Sequence, residues 1–416
     1  MKTEHLEADV VIIGAGPSGA VAAAILVNQG HKVTILEREK FPRFSIGESL
    51  LPQSMVFIEE AGMTDAVMAG NFQFKNGAAF QRNNSQTDFN FTEKFSSGPG
   101  TTLQVRRAEF DKILADEAEK SGAKILYEHT IQSIEFNDGK PTLTFTTAKQ
   151  ESGKIRGKFV LDASGFGRVL PRLLDLNTPS DFPPRQSVFT HIEDNISDEN
   201  YDRKKILVTV HPQYADVWLW LIPFPDGRCS LGVVAEPNYI DVFTDEFGDD
   251  NLKILQAIIS DVPSLKKLLN HAKFDTPVRT IKGYSANVKT LYGKGFALLG
   301  NAGEFLDPVF SSGVTIALKS ASLSAGLLHR QLNGETLDWK VQYSDKLMVG
   351  VNTFRSFVSA WYDQRFQDII FHDSQTKKIK EMISAILAGY AWDENNPYVA
   401  APERRINVLA EICRNN

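Results

Sequence analysis

The stretch "DVVIIGAGPSGAVAAAILVNQGHKVTILE", residues 9–37, decides the fold. Its opening run reads as a strand buried on both faces, "KVTILE" as a second, and the alanine-rich segment between them as a helix from about Ser18 to Gln29. Strand, helix and strand at this spacing make a βαβ unit, and such units build parallel sheets. Gly14, Gly16 and Gly19 give G-x-G-x-x-G at the first strand–helix junction, with Pro17 and Ser18 opening the helix. Gly14 suits the tight turn, Gly16 lets backbone approach a pyrophosphate, and Gly19 lets helix pack on strand. The helix N-terminus adds N–H donors and positive potential, and Glu37 closes the second strand where a carboxylate suits a ribose diol. Together these residues predict a site for FAD or NAD.

Working outward, Asp111 to Gly122 reads as another helix, followed by the strand "AKILYE", short strands around 131–147, and a buried strand ending in a turn in "KFVLDASG". Between about 180 and 275 the chain is strand-rich, and "KILVTVHP", "VWLWLIPF" and "CSLGVVAE" are spaced like antiparallel neighbours. "GFALLGNAGEFLDPVFSSG" supplies one more buried strand and a loop, then a helix runs from about Ser312 to Leu332, and the chain beyond Asn333 is mostly helical.

Composition excludes several classes. The 416 residues carry a net charge of −6 without a basic run, which argues against nucleic-acid binding. Cys229 and Cys413 are the only cysteines, too few for a disulfide framework or a cysteine-based metal site, so a reducing, cytoplasmic location and no metal are expected. The N-terminus lacks a basic n-region, and glycines, Pro17 and Ser18 break the apolar run behind it, so neither a signal peptide nor a membrane span is predicted.

One strand is unusual. In "DVWLWLIPFPDG", residues 216–227, alternation sends Trp218, Trp220 and Ile222 to one face and Leu219 and Leu221 to the other, which stands two indoles side by side.

"VRRAEFDKILADEAEKSGA" and "LDASGFGR" resemble the second and third flavin motifs of the glutathione-reductase-like flavoproteins, in the branch containing p-hydroxybenzoate hydroxylase and geranylgeranyl reductases. The resemblance implies FAD as the cofactor and Arg107 as a flavin-contacting arginine. Arg38, Arg43 and Ser49 are expected to add contacts, as are Asp162, Ser164 and Gly165. "GFALLGNAGEFLDP" is similar to the ribityl-binding strand and loop, so Gly300, Asn301 and Ala302 are expected at the ribityl chain and Pro308, Gly313 and Val314 nearby. Asn301 stands where aspartate is usual; its amide still accepts a hydrogen bond but carries no charge. The implied fold is mixed α/β: a Rossmann-like FAD-binding domain of glutathione-reductase type (1–71, 101–178 and 276–334), an inserted antiparallel β-sheet substrate domain (72–100 and 179–275), and a helical C-terminal region (335–416).

"WLWLIP" at 218–223 matches W-x-W-x-I-P, and "FLDPVFSSG" at 305–313 matches F-x-x-P-x-x-S-x-G. Both are motifs of flavin-dependent halogenases, and "FPRFSIGESLLP" and "AWDENNPYV" extend the resemblance over roughly residues 8–400. A compact chain of this length is similar to the phenol- and pyrrole-type enzymes. Such enzymes turn reduced FAD, O2 and chloride or bromide into hypohalous acid, which travels through a tunnel to a separate aromatic substrate. The resemblance therefore implies a wall and tunnel at Trp218, Trp220, Ile222, Pro223, Phe305 and Ser311, and a partner NAD(P)H flavin reductase, since no second dinucleotide fingerprint is visible. Lys75 in "FQFKNGAAF", on a strand face with Gln73 and opposite Phe72 and Phe74, is expected to aim the electrophile. Ser312 and Gly313, at a helix start, are expected to hold halide through backbone N–H groups, with Ser311 a candidate side-chain cap. The substrate is expected to be an electron-rich ring, free or tethered to an acyl carrier protein, and the assembly a homodimer. Three alternatives share parts of this pattern: a flavin aromatic monooxygenase, an isoprenoid reductase, and a non-catalytic FAD-binding protein.

Overall fold

A computed structural model describes residues 4–372 and 376–415. Its centre is a six-stranded sheet in the order Tyr292–Gly293, Phe296–Leu298, Phe159–Asp162, Val10–Ile13, Val33–Leu36, Lys124–Leu126, parallel except for the edge strand Tyr292–Gly293. The strands Val10–Ile13, Val33–Leu36 and Phe159–Asp162 are buried throughout, which is why their sequences are continuous apolar runs instead of alternations. The helix Pro17–Asn28 packs between the helices Arg107–Ser121 and Ser312–Leu332. Its small side chains at Ala20 and Ala22 to Ala24 are fully buried and allow that close approach. A four-stranded sheet, Glu4–Glu7, Ser152–Arg156, Lys140–Thr147 and His129–Asn137 in that order, packs on the other side.

The second large layer is a seven-stranded sheet ordered Arg279–Lys282, Gln186–Glu193, Arg228–Ala235, Trp218–Pro223, Lys205–Val210, Gly77–Arg82, Ser85–Asn90. It is antiparallel except at one junction, where Lys205–Val210 runs parallel to Gly77–Arg82. That junction joins strands from distant parts of the chain, so no hairpin dictates their direction. The ladder of Arg279–Lys282 belongs to this sheet, although its position in the chain lies past 275. Gln73–Lys75 stays outside the sheet and pairs with Thr102–Gln104.

The two faces of the seven-stranded sheet have different neighbours. Leu219, Leu221, Leu231 and Val233 pack under the helices Pro237–Phe247, Asn251–Ser260 and Pro263–Leu268. Trp218, Trp220 and Ile222 face the main core, as alternation requires. The helices Lys346–Tyr362, Arg365–Ile370, Lys377–Leu387 and Pro402–Asn415 complete the chain. Their aromatic run packs internally, with Phe310 against Phe357, Trp361 and Phe366. Among the described residues no helix is long and apolar enough to cross a membrane, and no group of three His, Cys, Asp or Glu side chains is placed to hold a metal.

Candidate functional site

A cavity of about 430 Å³ opens where the glycine turn, the strand Phe159–Asp162 and the tryptophan strand converge. Gly14, with φ of +94°, makes the turn, and a Cβ there would lie 2.7 Å from the Ala163 carbonyl oxygen. Gly19 packs so closely that a Cβ would meet the Gly14 carbonyl. Gly16 differs: only Arg43 Nη2 lies near its missing side chain, at 3.4 Å, so its bare backbone faces the cavity together with Pro17 and Ser18. Glu37 is buried, accepts from the N–H groups of Ala15 and Glu39 at 2.8 and 2.9 Å, and also lines the cavity. The cradle suits a dinucleotide. Its backbone is bare where phosphates need close approach, and its carboxylate is prepositioned.

The other expected cofactor residues divide into two groups. Arg38, Arg43, Ser49 and Arg107 line the cavity, as do Ser164, Gly165 and Asn301 and, at the far end, Pro308, Gly313 and Val314. The Asn301 Oδ1 is buried without a protein partner, an acceptor suited to a hydroxyl-bearing ligand. Asp162, Gly300, Ala302 and Gly19 lie behind the lining. Asp162 accepts from the N–H groups of Ser164 and Leu170 at 2.9 and 2.6 Å and so shapes the turn, while burial raises its pKa. Gly300 packs against Ala317, which a Cβ would meet at 2.7 Å.

Arg107 is both part of the lining and a brace. Its guanidinium pairs with Asp111 at 2.7 and 3.1 Å and donates to the Ile46 carbonyl at 2.5 Å, fixing the loop before Glu48. Asp111 also accepts from Arg43 at 3.2 Å. The helix begins at Arg107, four residues earlier than the sequence suggests, and that earlier start makes Arg107 and Asp111 an i, i+4 pair. Glu48 is likewise absent from the sequence expectation. It lines the cavity, its carboxylate meets His191 Nε2 at 2.6 Å, and its second oxygen is buried without a partner.

The indoles of Trp218 and Trp220 stand with centroids 6.0 Å apart and, with Ile222, form one side of the cavity. Trp220 lies over Gly232, its direct partner on the neighbouring strand, where a Cβ would sit 2.4 Å from the ring. Trp220 Nε1 donates to Ser230 at 3.0 Å, whereas Trp218 Nε1 donates to Tyr362 at 3.1 Å. Phe305 lines the cavity, but Pro223 ends the strand outside it.

Lys75 is 1% exposed. Its Nζ donates to Ser49 Oγ at 2.8 Å and to the Leu50 carbonyl at 2.7 Å, and burial lowers its pKa to about 7. It lines a small chamber of about 10 Å³, closed by apolar side chains that include Phe80, Phe91, Phe310 and Leu387. Ser311 and Ile206 border both this chamber and the larger cavity. Ser311 adopts the left-handed conformation, φ +56°, immediately before the helix Ser312–Leu332, and its side chain makes no capping hydrogen bond. Gly313 faces the cavity, while Ser312 is buried behind it.

Residues 7–265 match the family model of the FAD binding domain. The 1H-pyrrole-2-carbonyl-[peptidyl-carrier protein] chlorinase of Pseudomonas fluorescens is 29% identical over 388 residues, covering 85% of this chain and 83% of that protein. A solved flavoprotein/dehydrogenase of Cytophaga hutchinsonii is 41% identical with a TM-score of 0.93, covering 98% of this chain and 99% of the other. The flavin-dependent brominase Bmp2 is 25% identical with a TM-score of 0.82 over 99% of this chain and all of its own. The glycine cradle and the family model agree: the chain belongs to the FAD-binding flavoproteins, and its relatives include flavin-dependent halogenases.

Proposed function

We propose that this protein uses reduced FAD, O2 and chloride or bromide to make hypohalous acid, and that Lys75 directs the halogen to an electron-rich phenol, resorcinol or pyrrole. The observation that carries the reading is the burial of Lys75 in a chamber that shares Ser311 and Ile206 with the cofactor cavity. Bound reduced FAD supplies the two electrons that activate O2. Trp218 and Trp220 exclude an aromatic ring from the cofactor, and the shared border lets a small acid cross. The backbone N–H groups at Ser312 and Gly313 hold the halide.

In the chamber, the two N–H bonds of a neutral Lys75 amine satisfy Ser49 and Leu50, which leaves its lone pair free. Hypohalous acid transfers X⁺ to that lone pair and its hydroxyl leaves as water with an amine proton. The N–X bond then passes halogen to a ring carbon, and the ring proton returns to the amine. At about 10 Å³ the chamber is at the lower limit for a single water, so hypohalous acid and an aromatic ring both need it to widen, and Leu387 on its border is the side chain we expect to move. A separate flavin reductase supplies the reduced cofactor. The carrier-bound substrate of the pyrrole chlorinase makes a tethered ring one candidate class. We assign the substrate side to the 72–100 and 179–275 segments, with the described helices between Lys346 and Asn415 covering it.

The test is aerobic incubation of the protein with FAD, a flavin reductase, NADH and chloride or bromide, with free and carrier-tethered phenols, resorcinols and pyrroles, read by mass spectrometry. A halogen isotope pattern on a ring is expected; hydroxylated rings alone would replace this reading with an aromatic monooxygenase.

A further inference from the structure

The two wall indoles are anchored differently. Trp220 is held by Ser230 within its own sheet, but Trp218 reaches across the core to Tyr362, the last residue of the helix Lys346–Tyr362. The Tyr362 hydroxyl accepts from Trp218 Nε1 at 3.1 Å and donates to Asp307 Oδ2 at 2.8 Å. Asp307 is buried, and its other oxygen accepts from the Val309 N–H at 2.9 Å, which caps the turn Pro308–Phe310. That turn leads directly into Ser311, Ser312 and Gly313. The Arg185 guanidinium lies 3.9 Å from the centre of the Tyr362 ring and is itself fixed by Asp216 at 3.1 Å. Every link of the chain Trp218–Tyr362–Asp307–Val309 is thus hydrogen-bonded, and a buried hydroxyl with both its donor and acceptor used is held in a single orientation.

We propose that Tyr362 is a positioning residue that clamps Trp218 of the wall to Asp307 of the loop before the anion-binding helix, so that the helical tail fixes the wall and the loop as one unit. W-x-W-x-I-P begins at Trp218 and F-x-x-P-x-x-S-x-G at Phe305, 87 residues later, and this hydroxyl joins them. When the clamp is lost, the indole gains rotational freedom, the barrier leaks, and oxygen consumed at the cofactor ends as hydrogen peroxide instead of halogenated product. Only this partitioning effect rests on the halogenase reading; the clamp itself does not.

The experiment uses FAD-loaded protein labelled with 5-fluorotryptophan. The Trp218 resonance is assigned by its absence in W218F, and the ¹⁹F spectrum of Tyr362→Phe is compared with that of the parent. Phe keeps the ring on Arg185 and removes only the hydroxyl. The expected result is a shifted or broadened Trp218 resonance with unchanged Trp339 and Trp392 resonances, and a several-fold larger fraction of consumed O2 recovered as peroxide. Asp307→Asn, which weakens the acceptor, is expected to move the same resonance in the same direction, and it serves if Tyr362→Phe does not fold. A Trp218 resonance unchanged in either variant would overturn the clamp. If the parent protein makes no halogenated product, the halogenase reading fails while the ¹⁹F shift still decides the clamp.

Discussion

Lys75 Nζ donates to the hydroxyl of Ser49 at 2.8 Å, and Ser49 in turn faces the cofactor cavity, so one side chain joins the amine to the cofactor site. Lys75→Met keeps an unbranched side chain in the apolar chamber and removes the amine. Halogenated product is expected to fall by roughly 100-fold or more, the scale on which loss of a single preorganised polar group acts. FAD binding, followed by absorbance titration, stays at the parent level. Product formation at the parent rate would remove Lys75 from the chemistry.

The charge state of that amine sets a pH dependence. Burial disfavours the ammonium, and among the described residues no carboxylate lines the chamber, so the pKa drops to about 7. A lysine that carries halogen on its lone pair works in the neutral form. Halogen transfer is therefore expected to rise with pH through about 7 and level off above it. Rapid-quench product formation with preformed hypohalous acid, with the rate divided by the fraction of reagent in the acid form at each pH, reports this step; a corrected rate that falls as pH rises through the same value would make the ammonium, as a hydrogen-bond donor, the working species.

Leu387 closes the chamber from the helix Lys377–Leu387. Leu387→Ala is expected to cost about 2–5 kcal/mol of stability, as large-to-small substitutions at buried sites do. It also makes space next to Lys75, so bulkier phenols should gain kcat/KM relative to small ones. Measurement of kcat/KM across phenols of increasing ring substitution checks the point, and an unchanged ranking would place the substrate elsewhere.

Two glycines of the cradle separate folding from binding. Gly14→Ala must place a side chain at a positive φ and 2.7 Å from a carbonyl oxygen, so it should lower Tm. At Gly16 an added Cβ meets only the Arg43 side chain and the φ is ordinary, so Gly16→Val should lower Tm less than Gly14→Ala does while blocking FAD. Thermal melting beside isothermal titration distinguishes the two, and tight FAD binding by Gly16→Val would place the pyrophosphate elsewhere.

How much of this was legible in sequence depended on the range of the interaction. The βαβ unit and the tryptophan face follow from local periodicity, and both stand as read. The strand of Lys75 was legible for the same reason, but the burial of its amine was not, because the chamber is closed by residues as distant as Leu387. Asp111 was hidden by a helix start placed four residues late, since Arg106 and Arg107 give no cap signal. Tyr362 and Glu48 gain their meaning only from partners far along the chain, Asp307 and His191, and no spacing rule connects them. The parallel junction of Lys205–Val210 with Gly77–Arg82 was missed because neighbouring strands at hairpin distance suggested antiparallel pairing throughout.

The seven-stranded sheet presents its indoles to the cavity and its leucines to the helices spanning residues 237–268. Because successive side chains on a strand cannot share a face, the helices behind the sheet are separated from the cavity by a full layer of backbone. A fused partner or tag on the rear helices is therefore expected to leave the lining of the cavity unchanged. A laboratory seeking to immobilise this protein can attach it on that side and keep the cavity clear.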